Sequence, residues 1–275
     1  MLQVFTSQPL YAPLRALLEL LPDDGGVPGV ESLNALAAGR GIVSGSGAPL
    51  RFVVPHGSGM SYEERAWWLG EVETRPGNWH DYFNALAWLV FPLTKAALNV
   101  RHHRVLAEQR SAGRPVNVAG GGRGPLRDAL TQFDECGVIV ASADLELWEG
   151  IRAHRWKQVF WDQRPQVLQS MQVFVFGHAS YDLLRNPHLG LCGKAIFLHV
   201  DDVWLARPLA DRLKDIDAHM ARRFSGGPGG LGAYSRPRDF HPLPLLGIPG
   251  ATPENASALY YENTRQFRPL RVVGD

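Results

Sequence analysis

Apolar residues recur at helical spacing through two neighbouring segments near the middle of the chain. Residues 79–91 and 93–109 place apolar side chains three and four positions apart, which is the repeat of an amphipathic helix. Pro92 separates the two segments, and a proline inside a helix removes a backbone hydrogen bond and breaks or kinks the helix. We therefore predict two consecutive helices that form the buried centre of the fold.

Shorter apolar runs elsewhere predict a mixture of helices and strands. The pattern favours helices at residues 10–21, 145–160, 165–186 and 205–224, and strands at residues 50–54 and in KAIFLHV. The segment ALTQFDECGVIVAS alternates on both sides of a glycine, which predicts a β-hairpin. Because hairpin and helices follow one another without a regular strand–helix alternation, we predict an α+β fold.

The chain has 275 residues, a length that fits one large domain. We predict a single, mainly helical α+β domain over residues 1–275 with a small antiparallel sheet or hairpin and long Gly/Pro-rich loops. Residues 1–49 would hold an N-terminal helix and an irregular segment, and residues 50–275 the core. The Gly- and Pro-rich residues 225–255 should wrap the surface and not form a core layer.

Polar side chains interrupt the most aromatic part of the chain, NWHDYFNALAW. His80 and Asn84 lie four positions apart, and Asp81 and Asn84 lie three apart, so on a helix they share one face. Burying an unpaired polar group costs roughly 2–7 kcal/mol, which makes such a stripe a candidate site. After Pro92 the spacing repeats with Lys95, Asn99 and either His102 or His103.

We expect the two polar stripes to face each other as the walls of a cleft, closed by His178 or Asp128. Groups suited to acid–base work are the catalytic candidates, namely His80, Asp81, Asn84 and Asp128. Donors that could hold a small anionic substrate are Lys95, Asn99, Arg127 and Arg268. Imidazoles suit zinc, iron or manganese, so the candidate ligands of a divalent metal are His80, His102 and His178.

Structural explanations compete with several of these assignments. Asp81 could simply cap the helix start, and a lone histidine such as His178 is more often part of a core than a ligand. Asp134 and Glu135 fit ordinary hairpin-turn chemistry. Strand alternation would put Arg127, Thr131 and Glu135 on one side of the hairpin and Asp128 and Asp134 on the other.

Composition excludes some classes of function. The net charge is +1, with 28 basic and 27 acidic residues, so nothing pulls the chain toward nucleic acid or an anionic membrane. The two cysteines form no CxxC pair, which argues against a thiolate zinc site. The longest apolar run contains Asn84, Pro92 and Lys95, which indicates a buried helical pair and not a membrane span. We expect a soluble, cytoplasmic protein.

Four blocks of the sequence resemble a known family. They are YEERAWWLGEVETRPGNWHDYFNALAWLVFPLTKAALNVRHH, RGPLRDALTQFDECGVIV, VFGHASYDLL and the closing FRP. In this order they resemble the uncharacterised bacterial family catalogued as domain of unknown function 3025, roughly from residue 50 to residue 270. The resemblance implies one bacterial domain. It supplies no reaction, ligand or catalytic residue.

Two functions fit these observations. The first is a metal-assisted hydrolase acting on a small anionic substrate, in which a divalent ion lowers the pKa of water. The second is a non-catalytic binding protein, in which the His, Asp and Asn side chains form a buried, satisfied polar network. The sequence leaves both open, because the histidines lie far apart in the chain and no HExxH motif is present.

Overall fold

A computed structural model of the chain describes residues 8–20, 26–57, 59–113, 124–225 and 234–270. These residues form an α+β fold, as the sequence predicts, with many helices around one four-stranded and one two-stranded sheet. The α-helices are α1 Arg15–Leu18, α2 Val30–Ala37, α3 Tyr62–Leu69, α4 Trp79–Val90, α5 Pro92–Ser111, α6 Pro125–Cys136, α7 Leu145–Arg152, α8 Arg164–Ser170, α9 His178–Leu183, α10 Asp202–Leu205 and α11 Leu209–Phe224.

The strands are β1 Arg51–Val53, β2 Glu71–Glu73, β3 Gly137–Ser142, β4 Met171–Val175, β5 Cys192–His199 and β6 His241–Pro244. The larger sheet has the order β4-β3-β5-β6, and β1 pairs with β2 in parallel. Within the larger sheet β3 runs antiparallel to β4 and parallel to β5, so the sheet is mixed. A π-helical turn covers Gln158–Asp162, and short 3₁₀ helices cover Pro9–Leu14, Pro237–Asp239, Leu245–Gly247, Pro253–Ala256 and Ala258–Glu262.

Both faces of the larger sheet are buried. Val138 and Val140 of β3 pack into one apolar cluster, which includes side chains of α4 and of the N-terminal helices. Ile139 and Ala141 point the other way, into a second cluster built with α5, α6 and α11. Because side chains alternate between the faces of a strand, a sheet covered on both sides needs continuous apolar runs.

The two central helices are buried, and this prediction is confirmed. Every residue from 81 to 89 in α4 is buried, and α5 begins at Pro92, where the missing backbone N–H has no helical partner to lose. The two helix axes differ in direction by 108°. This bend brings the start of α4 and the first half of α5 around a common space.

Among the described residues, no helix by itself has the length and apolar character needed to cross a membrane. The bent pair of α4 and α5 meets that criterion only when the two helices are taken together.

The predicted hairpin at residues 129–142 is wrong. The structure has a helix, α6, that leads directly into strand β3. Pro125 occupies the first turn of the helix, where its fixed backbone angle is favourable. Ala129, Leu130 and Phe133 then recur at helical spacing and are all buried. The helical period therefore prevails over the apparent alternation.

The helix predicted over residues 165–186 is also wrong. Helix α8 ends at Ser170, strand β4 follows, and a new helix, α9, starts at His178. The β4 sequence MQVFV is rich in β-branched and aromatic residues and lies between the two apolar clusters. A short apolar run that is buried on both faces has no alternation to distinguish it from a buried helix.

The Gly- and Pro-rich segment does more than wrap the surface, which corrects the prediction for residues 225–255. Strand β6 pairs with β5 at the edge of the larger sheet, and Leu243 and Leu245 are fully buried. Pro242 and Pro244 are tolerated there because an edge strand does not need every backbone N–H for pairing. Residues 226–233 lie outside the described part of the chain.

One buried carboxylate holds α11 against the start of α5. Asp217 accepts hydrogen bonds from the backbone N–H groups of Leu93 and Thr94, at 3.0 and 2.8 Å, and from the Thr94 hydroxyl at 2.7 Å. No side chain at the N-cap of α5 makes a capping hydrogen bond. Asp217 thus caps the helix from a distant part of the chain.

We expect Asp217→Ala to lower the free energy of unfolding by about 2 kcal/mol, because it leaves buried donors of α5 without an acceptor. Urea denaturation measures this free energy. Asp211→Ala, on the same helix but partly exposed, is the control and should change stability by no more than about 0.5 kcal/mol. Equal effects of the two substitutions would show that Asp217 does not act as a cap.

Candidate functional site

A cavity of about 540 Å³ opens between the helices around the α4–α5 bend. Five helices contribute polar groups to its wall. These groups are Tyr62 and Glu63 of α3, His80, Asp81 and Asn84 of α4, Lys95, Asn99 and His102 of α5, Thr131, Asp134 and Glu135 of α6, and His178 of α9. The two polar stripes of α4 and α5 therefore face one space, as the spacing predicts, and His178 lies beside them. Their functional roles stay predictions.

Three predicted site residues lie elsewhere. Asp128 contacts a shallow surface near Pro125, about 10 Å along the helix axis from Glu135, because seven helical residues separate them. Arg127 is buried and acts electrostatically on His102, but it does not line the cavity. Arg268 is exposed, and its backbone carbonyl accepts a hydrogen bond from Trp156. The structure thus contradicts the placement of all three in the cleft.

Asp134 and Glu135 are the residues that the sequence interpretation undervalued. They lie in the last turn of α6 and not in a hairpin turn, so Thr131, Asp134 and Glu135 stand three and four positions apart on one helical face. All three line the cavity. The strand-based division that separated Asp134 from Thr131 and Glu135 is therefore wrong. The same three–four spacing that identified His80 and Asn84 could have found this stripe.

His80, Glu135 and His178 form a compact group of metal-ligand type. The Nε2 atom of His80 lies 3.1 Å from Oε2 of Glu135, and the Nε2 atom of His178 lies 3.6 Å from the same oxygen. One potential ligand atom from each of the three residues lies within 4.8 Å of the other two. Ligands about 2.1 Å from a shared ion are separated by roughly 3.0–3.4 Å in octahedral or tetrahedral geometry. The observed spacing is close to that range.

His102, which the sequence put in the metal set, belongs to another part of the wall. Its Nδ1 atom lies 4.0 Å from Oε1 of Glu63, and the group of three ligands contains Glu135 in its place. His102 lies near the middle of α5, whereas His80 and His178 lie in the first turns of α4 and α9. The compact group therefore contains two histidines and a glutamate, and His102 of the predicted trio lies outside it.

Each histidine of the group also faces a second carboxylate. Nδ1 of His80 lies 3.4 Å from Oδ1 of Asp81, and Nδ1 of His178 lies 3.8 Å from Oδ2 of Asp134. Metal-bound histidines commonly direct their second ring nitrogen at a carboxylate, which orients the ring and increases its basicity. His80 has this arrangement, whereas Nδ1 of His178 lies beyond hydrogen-bond distance of Asp134. In both rings Nε2 is directed at Glu135.

A cation holds each of these outer carboxylates. Arg75 donates to both oxygens of Asp81, at 2.7 and 2.8 Å. Nζ of Lys95 lies 2.6 and 2.9 Å from the two oxygens of Asp134. Burial alone would raise the pKa of both carboxyls, but Arg75 and Lys95 outweigh it and hold each pKa below its usual range. Both groups are therefore charged at neutral pH.

The two histidines differ in their ionisation. Hydrogen bonding to Asp81 and then to Glu135 raises the pKa of His80 to about 9, against the opposing effect of burial. Burial lowers the pKa of His178 to about 4, although Asp134 and Glu135 act in the other direction. The imidazole of His178 is consequently neutral at pH 7 and keeps a lone pair for a ligand bond. Its Nδ1 atom is buried and has no hydrogen-bond partner in the described part of the chain.

Asn99 lines the cavity, but its amide is used by the backbone. Its Nδ2 atom donates to the carbonyl of Glu63 at 2.8 Å, and its Oδ1 atom accepts from the N–H of Gly45 at 3.2 Å. Asn99 thus fastens α3 to α5 and fixes the position of the Tyr62–Glu63 wall. The geometry favours this positioning role over the predicted contact with substrate.

Comparison with known proteins identifies a family. The family model described as "Protein of unknown function (DUF3025)" matches residues 50–271, which confirms the resemblance seen in the sequence. No curated protein and no solved structure matches the chain. The matched range contains every helix that contributes to the cavity wall.

Proposed function

The chain belongs to the DUF3025 family, and we propose that it is a metal-dependent hydrolase in which His80, Glu135 and His178 hold a divalent ion. One observation carries the proposal. Both Nε2 atoms converge on one oxygen of Glu135, while both Nδ1 atoms face a carboxylate. Two imidazoles and a carboxylate suit zinc, iron or manganese and leave coordination positions for water and substrate.

A bound ion would lower the pKa of a water molecule and so provide a nucleophile at neutral pH. The residues of the chain prepare the site for it. Burial keeps His178 neutral, Asp81 contacts the ring of His80, and the charge of Asp134 lies beside the ring of His178. Arg75 and Lys95 fix those carboxylates in turn, so that four side chains outside the reacting centre surround the proposed ligands.

The charge of the wall favours a cation at this site and a neutral substrate beside it. The lining residues include five carboxylates, those of Glu63, Glu73, Asp81, Asp134 and Glu135, and two permanent cations, those of Arg75 and Lys95. Both cations already form ion pairs with wall carboxylates. Glu73 pairs with Arg65, which lies outside the wall. Glu63 and Glu135 have no lysine or arginine partner in the described part of the chain, and their charge favours a divalent ion and opposes an anion. We therefore propose an amide or ester substrate in place of the small anion expected from the sequence.

Two contacts of His80 support the alternative, a binding protein without metal. Nε2 of His80 is within hydrogen-bond distance of Glu135, at 3.1 Å, and Nδ1 contacts Asp81 at 3.4 Å. A protonated His80 can bridge the two carboxylates without an ion, as in a buried polar network. Metal content and melting temperature distinguish the two functions.

We expect about one equivalent of zinc, iron or manganese per chain in protein purified without chelators, measured by plasma mass spectrometry. After removal by a chelator, adding the ion at about 100 times its Kd should raise the melting temperature by about 5–10 °C. Calcium, which prefers oxygen ligands, is the control and should give no shift. If no stoichiometric metal is found, and neither the chelator nor the added ion changes the melting temperature, the network alternative is correct.

Catalysis is tested on the same samples. Metal-loaded protein is assayed on a series of p-nitrophenyl esters and a series of p-nitroanilide amides. Each series contains neutral and anionic substrates, whose rates are compared. The proposal requires turnover of neutral members that stops on chelation and returns with the ion. Metal binding without hydrolysis of either series would contradict the proposed hydrolase activity and retain only the proposed metal site.

A further inference from the structure

Tyr62 of α3 presents its hydroxyl group among three polar groups of the cavity wall. Nε1 of Trp88 donates to the hydroxyl oxygen at 2.9 Å, and Nδ2 of Asn84 donates to it at 3.1 Å. A phenol oxygen accepts through its lone pairs and donates one proton. The two donors engage the acceptor side of the hydroxyl, so its proton needs a separate acceptor.

The orientation of Asn84 follows from Lys95. An ammonium group can only donate, so the atom of Asn84 that lies 2.8 Å from Nζ of Lys95 must be the carbonyl oxygen. The amide nitrogen then faces Tyr62. The indole nitrogen of Trp88 can also only donate. Neither the Asn84 nitrogen nor the indole can therefore accept the proton of Tyr62.

One remaining acceptor is too distant to bind that proton well. Oδ1 of Asn84 lies 3.5 Å from the Tyr62 hydroxyl, whereas O–H···O hydrogen bonds span about 2.5–3.0 Å. The same oxygen already accepts from Lys95. Burial raises the pKa of Tyr62, so the hydroxyl stays protonated at neutral pH. Tyr62 is half-buried and lines the cavity, so a molecule bound there can offer this proton a closer acceptor.

We propose that Tyr62 is a specificity-determining residue whose hydroxyl donates a hydrogen bond to an acceptor oxygen of the substrate. The proposal rests on the proposed function, because it places another atom of the substrate on the metal. Asn84 stands about one helical turn beyond His80, about 6 Å along α4. The preferred substrate therefore carries a carbonyl oxygen about one helical turn from its metal-binding group. The acidic wall makes a neutral amide more suitable than a carboxylate.

Two hydroxamates of equal shape test this inference. Each binds zinc through its hydroxamate group; one ends in a primary amide two methylenes away, and the other ends in an isopropyl group at the same place. Binding of both probes to zinc-loaded protein is measured by calorimetry. Tyr62→Phe should weaken the amide probe about three- to tenfold and leave the isopropyl probe unchanged.

Tyr82→Phe is the matched control, because it removes a buried hydroxyl from α4 that does not line the cavity. It should alter neither affinity by more than about twofold. If zinc binds but Tyr62→Phe affects both probes equally or neither, or if the loaded wild-type protein binds neither probe, the inference is overturned. If zinc itself does not bind, the proposed function fails first, and the zinc titration shows which of the two has failed.

Discussion

Glu135→Gln is expected to weaken binding of zinc or manganese by more than about 100-fold while the metal-free protein remains folded. Substitutions in the outer shell of metal sites typically cost 10–100-fold in affinity, and a ligand that contributes negative charge should cost more. An amide oxygen lacks that charge. Stability should change little, because the Glu135 side chain is about one-third exposed and, within the described residues, its short side-chain contact is with His80.

Competition with a chromophoric chelator measures this affinity, and circular dichroism verifies the fold. Glu108→Gln provides the control, since it makes the same charge change at an exposed position of α5. Its metal affinity should stay within about twofold of wild type. Wild-type affinity in Glu135→Gln would remove Glu135 from the ligand set and with it the reason for placing an ion between the two histidines.

The position of the cleft was accessible from sequence because it depends on local periodicity. His80 and Asn84 are four positions apart, so they share a face of any helix that contains them. Pro92 marks where the second helix, and with it the second polar stripe, begins. Glu135 was undervalued for an equally local reason. Once residues 129–142 were interpreted as a hairpin, Asp134 and Glu135 became turn residues, although a helix puts them on one face with Thr131.

Other parts of the fold depend on contacts that a single sequence does not reveal. Strands β3 and β4 are buried on both faces, and so they lack the alternation that identifies a strand. Strand β6 forms in a Gly- and Pro-rich segment because the edge of the sheet is available to it. Asp128 and Arg268 have suitable chemistry, but only the three-dimensional fold determines that they lie outside the cavity.

The structure also shows a symmetry in the site that no spacing predicts. Arg75, Asp81 and His80 form one chain of contacts, and Lys95, Asp134 and His178 form a second. Both chains end at Glu135. They differ in burial, since the Arg75 side chain is 59% exposed and the Lys95 side chain is 2% exposed. The buried chain should therefore matter far more for stability.

We expect Lys95→Met to destabilise the metal-free protein by about 3–5 kcal/mol, because it leaves the carboxylate of Asp134 buried without its cation. Urea denaturation gives the free energy of unfolding. Arg75→Met removes the exposed counterpart from Asp81 and should cost about 1 kcal/mol or less, because solvent screens an exposed ion pair. Similar losses of stability in the two variants would show that the Lys95–Asp134 pair stabilises the fold no more than the Arg75–Asp81 pair.

The double variant Lys95→Met/Asp134→Leu separates stability from metal binding. Replacing both members of a buried ion pair with apolar side chains is often neutral, so most of the lost stability should return. Metal affinity should nevertheless fall about 10–100-fold, because His178 loses the carboxylate that faces its Nδ1 atom. A stable double variant with wild-type metal affinity would mean that Asp134 supports only the fold. A stable variant with weakened affinity would mean that the buried charge is retained because it orients a metal ligand, at a cost in stability that an apolar pair would avoid.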